Sequence, residues 1–411
     1  MSDFLWGAST APHQVEGNNV SSDWWARESL MPGMEPSGDA CDSYHRYRED
    51  MQLLADAGLT AYRFGIEWAR VEPRRGQISR AALAHYRRMI DTALELNLAP
   101  VVTLHHFSSP QWFAEEGGWL AKSAVDRFAA YVEAVCPILE DVEWVATINE
   151  PNMLAMMITM QELARAGTLD AWQSPTVESV DEGAEDARAV ALPTPDLEYG
   201  RRLIAAHHAA REVLRSRTSA QVGWTIANQA LTSLPGGEEK LIEIRHAWED
   251  LYLDAAAGDD FVGVQSYSSQ EVDASGLVPP APHPDNTMIG TSYRPDALGM
   301  AVRHTWERTG GIPIVVTENG IATSDDARRI AYTEAALSGL DAAIADGVDV
   351  RGYLHWSLLD NYEWGHWGPT FGLVAVDRET FARAPKPSLA WLGRTARERS
   401  ADLATSLKDN S

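Results

Sequence analysis

The strongest indication of the fold is an apolar run that ends in a carboxylate, Trp144-Val145-Ala146-Thr147-Ile148-Asn149-Glu150-Pro151. A second run of the same kind is Ile312-Pro313-Ile314-Val315-Val316-Thr317-Glu318-Asn319-Gly320. A β-branched apolar run predicts a strand that is buried in a parallel sheet. A carboxylate just past the carboxyl end of such a strand occupies the position at which α/β barrels place reactive groups. The two runs therefore predict two glutamates that face one site.

Strand and helix patterns alternate along the whole chain. Six more strands are predicted from short apolar runs, at Phe4–Ala8, Ala61–Ile66, Pro100–Leu104, Val222–Ile226, Phe261–Val264 and Gly352–His355. Together with Val145–Ile148 and Ile314–Thr317 they make eight. Helical patterns lie between them, at Ala81–Leu96, Ser123–Leu139, Asp196–Arg217, Ala297–Arg308 and Asp326–Asp346. This alternation predicts the α/β class, as a single (β/α)8 TIM barrel over residues 1–411 with its active site at the C-terminal ends of the strands.

The bulk composition excludes several classes of partner. The formal net charge is -25, which disfavours binding to nucleic acid and to anionic membranes. No stretch approaches the roughly 18 apolar residues of a membrane span, and the N-terminus lacks the basic and apolar regions of a secretory signal. We therefore predict a cytoplasmic protein that binds neither nucleic acid nor membranes. Composition does not indicate its oligomeric state.

Neither the cysteines nor the glycines indicate a cofactor. Cys41 and Cys136 have no metal-like spacing, and free thiols are the default interpretation. No glycine-rich loop of the phosphate-binding kind and no His/Cys/Asp cluster at metal spacing occurs. We predict no cofactor and no metal.

Three segments stand apart from the alternating pattern. Residues 165–195 are acidic and poor in large apolar side chains, which predicts an exposed and flexible insertion after the fourth strand. Residues 272–296 are rich in proline and predict a long loop after the sixth strand that borders the active site. The tail at 400–411 is predicted to be frayed.

Most enzymes that cleave a glycosidic bond use a pair of carboxylate side chains. The leaving oxygen needs a proton and the cationic sugar needs stabilisation, so one glutamate must be protonated while the other is ionised. The amide of Asn149, next to Glu150, is placed to hydrogen-bond a sugar 2-hydroxyl. A lone glutamate at a strand end is more often a helix-cap neighbour or part of an ion pair. The matched contexts of Glu150 and Glu318 favour function over that alternative.

Other polar groups fall at the same ends of other strands. Gln14 follows the first strand, and Arg63 lies in the second, where it could keep a neighbouring carboxylate ionised or form a structural ion pair. His105 and His106 follow the third, and alternation lets only one of them point inward. Tyr267 follows the sixth, where its phenol could donate to a carboxylate, although a buried tyrosine is more often packed core.

The richest stretch follows the eighth strand and interleaves indoles with a carboxylate, Trp356-Ser357-Leu358-Leu359-Asp360-Asn361-Tyr362-Glu363-Trp364. Sugars present C–H faces that stack on tryptophan and hydroxyls that bind carboxylates. Core packing is the usual role of large aromatics, and we expect it for Trp6, Trp144, Trp224 and Trp391. Because Trp356 and Trp364 flank a turn after the last strand, a sugar site is favoured for them.

These stretches together resemble glycoside hydrolase family 1, the β-glucosidase family. The resemblance rests on four motifs and runs from about residue 3 to 397: Phe4 to Gly17, Thr147-Ile148-Asn149-Glu150-Pro151, Thr317-Glu318-Asn319-Gly320 and Trp356 to Trp364. It implies a retaining mechanism in which Glu318 is the nucleophile and Glu150 the acid/base, with carboxyl groups about 5–5.5 Å apart. It also implies that Arg63 and Tyr267 tune Glu318. The groups implied to grip the sugar are Gln14, His106, Asn149, Glu363 and Trp364, with Trp356 beneath it.

The resemblance narrows the substrate to unphosphorylated O-glycosides. Relatives that act on 6-phosphorylated sugars are expected to lack the acid at Glu363, and relatives that cleave thioglucosides lack the acid at Glu150. The chain departs from the family pattern at Phe107, where a tryptophan is usual, and at Gln265, where an asparagine is usual. We therefore predict a β-glucosidase, with galactosyl and fucosyl substrates left open. The alternatives are a barrel endoglucanase and a non-catalytic sugar-binding barrel.

Overall fold

Eight parallel strands close into a barrel in the computed structural model, which describes residues 4–31, 33–165 and 192–409. The barrel strands are β1 (Leu5–Ser9), β2 (Ala61–Gly65), β3 (Ala99–Thr103), β4 (Trp144–Asn149), β5 (Gln221–Ala227), β6 (Phe261–Gln265), β7 (Ile314–Glu318) and β8 (Val350–Trp356). Each strand pairs with its neighbours in sequence, and β8 pairs with β1 to close the ring. The predicted (β/α)8 barrel is confirmed, and all eight predicted strands are present with ends that differ by a few residues.

Helices surround the barrel between its strands. The longer ones are Ser43–Ala57, Arg80–Glu95, Ala124–Val135, Pro151–Arg165, Leu197–Arg217, Glu238–Arg245, Ala297–Thr309, Asp326–Ala345 and Pro387–Asp409. A π-helical turn, His246–Asp250, continues into the helix Leu251–Ala255. Short helices on the loops are Pro12–Val15, Asp23–Glu28, Trp68–Val71 and Gln111–Glu115, with 3₁₀ turns at Gly118–Leu120 and Cys136–Ile138. The buried faces of the outer helices and the outward faces of the strands form the main apolar core.

Two small sheets lie outside the barrel, in the loops that follow its strands. The predicted loop after β6 is not wholly irregular, because Glu271–Val272 pairs with Leu277–Val278 and also with Thr232–Ser233. A two-stranded sheet of Val374–Val376 and Arg383–Pro385 follows β8. The last helix runs to Asp409, into the stretch where a frayed tail was expected. Most of the predicted insertion, residues 166–191, lies outside the described residues.

Cys41 and Cys136 are both buried free thiols. Of the helices in the described ranges, none has the length and apolar character needed to cross a bilayer.

Candidate active site

A cavity of about 290 Å³ opens at the carboxyl ends of the barrel strands. Seven of the predicted site residues line it: His106, Glu150, Tyr267, Glu318, Trp356, Glu363 and Trp364. Gln14, Arg63 and Asn149 are buried beside these residues and hydrogen-bond to them. The strand ends therefore bring all ten predicted side chains together at one place.

Glu318 ends β7 and receives two short hydrogen bonds. Arg63 Nη1 lies 2.5 Å from Glu318 Oε1, and the Tyr267 hydroxyl donates to Glu318 Oε2 at 2.5 Å. Burial raises the pKa of Glu318, whereas the Arg63 charge and the Tyr267 hydrogen bond both lower it. Burial, followed by the Glu318 charge, raises the pKa of Tyr267 well above its usual value, so the phenol stays a donor. Both contacts favour the ionised carboxylate at Glu318.

The glycine that follows this strand explains the Glu-Asn-Gly motif. A Cβ on Gly320 would lie 2.0 Å from the carbonyl oxygen of Trp356, so only glycine lets the chain after β7 pass this close to the end of β8. Asn319, the residue between, donates from Nδ2 to the Ser266 carbonyl at 2.7 Å. The motif thereby fixes Glu318 between the ends of β6 and β8.

Arg63 is fully buried and connects four strands. Besides Glu318 on β7, its guanidinium donates to Thr103 Oγ1 on β3 at 3.0 Å and to Asn149 Oδ1 on β4 at 2.6 Å. An arginine cannot lose its proton in a protein, so every atom that it contacts in this way must be an acceptor. The cation therefore sets the hydrogen-bond direction of the groups around it.

Asn149 is the next group in this network. Its Oδ1 also accepts from Thr225 Oγ1 at 3.0 Å and from Gln265 Nε2 at 2.8 Å. Its Nδ2 must then be the donor towards His106 Nε2, 3.2 Å away. His106 thus accepts at Nε2 and carries its proton on Nδ1. Burial, with the nearby Arg63 charge, lowers the pKa of His106 well below its usual value, in agreement with a neutral ring.

His105 points away from the cavity, and so alternation correctly separated it from His106. His105 is buried in the core, where its ring packs edge-on against Trp119 and its Nε2 lies 3.0 Å from Ser109 Oγ. Its place is in the core under the loop that carries His106.

Glu150 lies in a different environment from Glu318. It directly follows β4 with a φ of 44°, in the left-handed region that is costly for a residue with a side chain. Its backbone amide donates to the Thr225 carbonyl at 2.8 Å, and Pro151 begins the next helix. Burial, reinforced by the Glu318 charge, raises the pKa of Glu150 well above its usual value. Among the described residues no side chain hydrogen-bonds to its carboxyl group, so its surroundings favour the protonated form more strongly than those of Glu318 do.

Gln14 and Glu363 form one end of the cavity. Gln14 Nε2 donates to Asn361 Oδ1, to the Tyr362 carbonyl and to Glu363 Oε2 at 2.9, 2.9 and 3.1 Å. Gln14 Oε1 and Glu363 Oε1 are buried, and neither has a hydrogen-bond partner within the described residues. Burial raises the pKa of Glu363 to about 8. This end therefore presents one amide oxygen and one carboxyl group to whatever enters.

Trp364 is held from behind by rings that the sequence did not single out. It stacks on His13, with ring centroids 5.7 Å apart and planes 12° apart, and contacts Trp24 at 4.7 Å. His13 is fixed in turn by Glu28, whose Oε1 lies 2.8 Å from His13 Nε2. Trp364 also lies near-parallel to His106. The indole is therefore locked in place before any ligand binds.

The other end of the cavity is built from loops after β4, β5 and β6. Its lining includes Met153, Leu192, Asn228, Gln229, Ser268, Gln270, Pro280, Ile289 and Thr291. Three of these lie in residues 272–296, the loop that the sequence predicted to border the site. The sequence did not point to Asn228 and Gln229, because no charge or aromatic cluster marks the end of β5. This wall combines apolar side chains with amides and hydroxyls.

Comparison with known proteins agrees with this geometry. A family model for glycosyl hydrolase family 1 matches residues 1–174 and 256–400. β-Glucosidase A of Acetivibrio thermocellus is 30% identical to the chain over 434 residues, which cover 95% of the chain and 96% of that protein. A Bifidobacterium breve protein named bifunctional β-D-glucosidase/β-D-fucosidase is 29% identical over 477 residues, which cover 97% and 98%.

A solved structure shows the same likeness in three dimensions. The apo structure of a β-glucosidase 1317 matches with a TM-score of 0.84 at 40% sequence identity, over 96% of this chain and 98% of that one.

Proposed function

The chain belongs to glycosyl hydrolase family 1 and is a β-glycosidase, and we propose that it is a retaining exo-β-glycosidase that releases a terminal non-reducing β-D-glucosyl residue from O-glycosides. One observation carries the proposal. Two buried glutamates share one cavity, and burial raises the pKa of both. Glu318 receives hydrogen bonds from Arg63 and Tyr267 that favour its ionised form, whereas the Glu318 charge raises the pKa of Glu150 further. That is the arrangement that double displacement requires.

Glu318 is proposed as the nucleophile. Its carboxylate attacks the anomeric carbon, the bond to the leaving oxygen breaks, and a covalent glycosyl-enzyme forms. Arg63 and Tyr267 keep the carboxylate ionised and oriented before attack. Arg63 stays in place throughout because Thr103 and Asn149 hold its other nitrogens.

Glu150 is proposed as the acid and then the base. Its raised pKa keeps a proton available for the leaving oxygen in the first step. After the proton has been transferred, Glu150 is ionised and can deprotonate the water that attacks the glycosyl-enzyme. Burial is the main cause of the raised Glu150 pKa, and the Glu318 charge raises it further. Neutralisation of Glu318 by the covalent bond removes this second cause, which favours the role of Glu150 as a base.

The closed end of the cavity supports exo action. Trp24 and His13 fill the space behind Trp364, and Gln14 spans the base of Glu363. A polysaccharide that continued past this end would collide with them. The cavity volume lies just below the roughly 300–1,000 Å³ typical of small-molecule sites, which suits one sugar and a modest leaving group.

The charge of the lining supports a neutral sugar. Among the described residues that line the cavity there is no lysine or arginine, whereas three glutamates are present. A sugar phosphate would bury its charges here without a cation, at a large desolvation cost. Glucosyl is our first choice because β-glucosidases recur among the relatives, and the Bifidobacterium breve relative makes fucosyl the next substrate to test.

The test is hydrolysis of aryl β-glycosides followed by proton NMR. We expect turnover of 4-nitrophenyl β-D-glucoside with β-glucose as the first product, before mutarotation. α-Glucose as the first product would exclude a retaining mechanism. Activity confined to long glucans would favour an endoglucanase, and binding without turnover would favour a sugar-binding barrel.

A further inference from the structure

Gln265 is a buried residue of the cavity wall, and only one of the two polar atoms of its side-chain amide has a hydrogen-bond partner among the described residues. It ends β6, in register with Glu318 on β7 and Ala227 on β5. Its Nε2 donates to Asn149 Oδ1 at 2.8 Å. Its Oε1 is buried and has no hydrogen-bond partner within residues 4–31, 33–165 and 192–409. Gln265 is also one of the residues that line the cavity.

The chemical identity of this unpaired atom follows from Arg63. The guanidinium can only donate, so the Asn149 atom 2.6 Å from it is the carbonyl oxygen. Gln265 must therefore face that oxygen with its NH₂ group, which leaves its own carbonyl as the free atom. The same reasoning makes Asn149 Nδ2 a donor, and only one of its two protons is directed at His106. The network thus presents a donor from Asn149 and an acceptor from the neighbouring Gln265.

We propose that Gln265 is a specificity-determining residue that accepts a hydrogen bond at Oε1 from the sugar hydroxyl to which Asn149 Nδ2 donates. A hydroxyl group accepts and donates at once, so the amide NH₂ of Asn149 at the end of β4 and the amide carbonyl of Gln265 at the end of β6 suit one hydroxyl. The proposal rests on the proposed function, in which that hydroxyl is the 2-hydroxyl of the glucosyl residue. Gln265 Nε2 additionally positions Asn149 for this contact.

The unpaired oxygen gives the site a physical reason to discriminate. A buried acceptor without a partner is costly, and a ligand hydroxyl that pairs with it relieves that cost. A sugar that lacks the hydroxyl leaves both the Asn149 proton and the Gln265 carbonyl unpaired. The contact to the 2-hydroxyl is also one that strengthens in the transition state, so its loss should appear in kcat/KM.

The experiment compares wild type and Gln265→Met on 4-nitrophenyl β-D-glucoside and its 2-deoxy analogue. Methionine matches the length of glutamine and removes both hydrogen-bonding atoms. We expect kcat/KM on the glucoside to fall roughly 10- to 100-fold, as for one to two lost hydrogen bonds. On the 2-deoxy substrate we expect a change of less than about threefold, because the partner hydroxyl is already missing. Equal losses on both substrates would overturn the inference.

Thr225→Val is the matched control. It tests whether the loss of activity arises from a change in the position of Asn149 rather than from loss of a direct contact between Gln265 and the sugar. It removes one donor to Asn149 Oδ1 and leaves those from Arg63 and Gln265 in place. We expect a loss of less than about fivefold, similar on both substrates, because the amide stays oriented. A Thr225→Val loss as large and as substrate-dependent as that of Gln265→Met would overturn the direct contact.

A variant that fails to fold and a wild type without activity can each be distinguished from loss of the proposed contact. Thermal unfolding of each variant reports whether it folds, and if Gln265→Met does not fold, Gln265→Leu, which also lacks both hydrogen-bonding atoms, takes its place with the same expected difference between substrates. If the wild type turned over neither substrate, the proposed function itself would fail and this inference with it. Wild-type turnover with equal losses in the variant would overturn the inference alone.

Discussion

The Tyr267 hydroxyl lies 2.5 Å from Glu318 Oε2, opposite the oxygen that Arg63 contacts. The two carboxylate oxygens of the proposed nucleophile are therefore each paired with a different donor, one neutral and one charged. Both contacts favour the ionised carboxylate against the effect of burial, and they limit its rotation. Arg63 and Tyr267 therefore have separate roles, and mutation of each residue can distinguish them.

Removal of the Tyr267 hydroxyl should slow the reaction and shift its pH dependence. For Tyr267→Phe we expect kcat to fall by about 10²–10³-fold, as for other preorganised donors at a reacting oxygen. The hydrogen bond lowers the pKa of Glu318, so without it that pKa rises and the acidic limb of kcat/KM moves to higher pH. The pH profile of aryl β-glucoside hydrolysis measures both effects.

Tyr131→Phe is the matched control for the loss of a buried hydroxyl. Tyr131 is fully buried, whereas Tyr267 is partly buried, and the Tyr131 hydroxyl donates to the carbonyls of Ile66 and Leu104 outside the cavity. It should lower stability and leave the acidic limb where it is. An acidic limb that stays unchanged in Tyr267→Phe would contradict the role assigned to that tyrosine.

Removal of the proposed nucleophile should abolish hydrolysis and permit chemical rescue. We expect Glu318→Ala to lose at least about 10⁴-fold in kcat on 4-nitrophenyl β-D-glucoside. Azide can enter the space left by the side chain and attack the anomeric carbon from the same face. The product would be the α-glucosyl azide, which NMR distinguishes from the β anomer. Full activity without azide, or a β-glucosyl azide, would contradict the assignment of Glu318.

Loss of the proposed acid should depend on the leaving group. Glu150→Ala should cost about 10²–10⁴-fold on substrates with poor leaving groups, since that is the usual contribution of an acid. 2,4-Dinitrophenyl β-D-glucoside needs little protonation, so its first step should be nearly unaffected. Kinetics with a series of aryl glucosides would show a steeper dependence on leaving-group pKa than in the wild type. Equal losses across the series would argue against Glu150 as the acid.

The raised pKa of Glu150 also predicts the alkaline limb of the wild-type profile. The acid must be protonated, so kcat/KM should fall as pH rises through that raised pKa. In Glu150→Gln, which cannot titrate, this limb should be absent with the dinitrophenyl substrate. A limb that persists in this variant would belong to another group.

Most of the fold and the central pair of residues could be predicted because their signals are local. Strands such as Ile314–Glu318 are continuous β-branched runs, and a glutamate at the end of such a run is visible in the sequence itself. Position relative to the strand then places the side chain at one known edge of the barrel. That is why Glu150, Glu318, Arg63 and Tyr267 could be named before any coordinates were known.

The supporting groups could not be predicted because their roles depend on distant packing. His13 and Trp24 lie behind Trp364, more than three hundred residues away in sequence, and no periodicity connects them. The free oxygen of Gln265 is apparent only once the hydrogen bonds from Arg63 to Asn149 are known. The raised pKa of Glu363 likewise comes mainly from burial, which the sequence around it does not show.

Glu363 should reduce stability at neutral and alkaline pH. Its pKa is about 8 in the folded protein, against roughly 4.3 in an unfolded chain, so the folded state binds the proton more tightly. Between those values the unfolded state alone gains from ionisation, and stability falls as pH rises. Glu363→Gln keeps a neutral side chain that can still accept from Gln14. Its unfolding free energy should therefore exceed that of the wild type, by on the order of several kcal/mol at pH above about 8.

Urea unfolding of wild type and Glu363→Gln at about pH 5, 7 and 9 measures this difference. The advantage of the variant should grow from pH 5 to 9, and kcat/KM on the glucoside should fall because a sugar contact is altered. Glu239→Gln is the control, since Glu239 is exposed on the helix Glu238–Arg245 and should show no such trend. A difference that is independent of pH would show that Glu363 is already ionised in the folded protein, and the proton would then have to be sought elsewhere in the cavity.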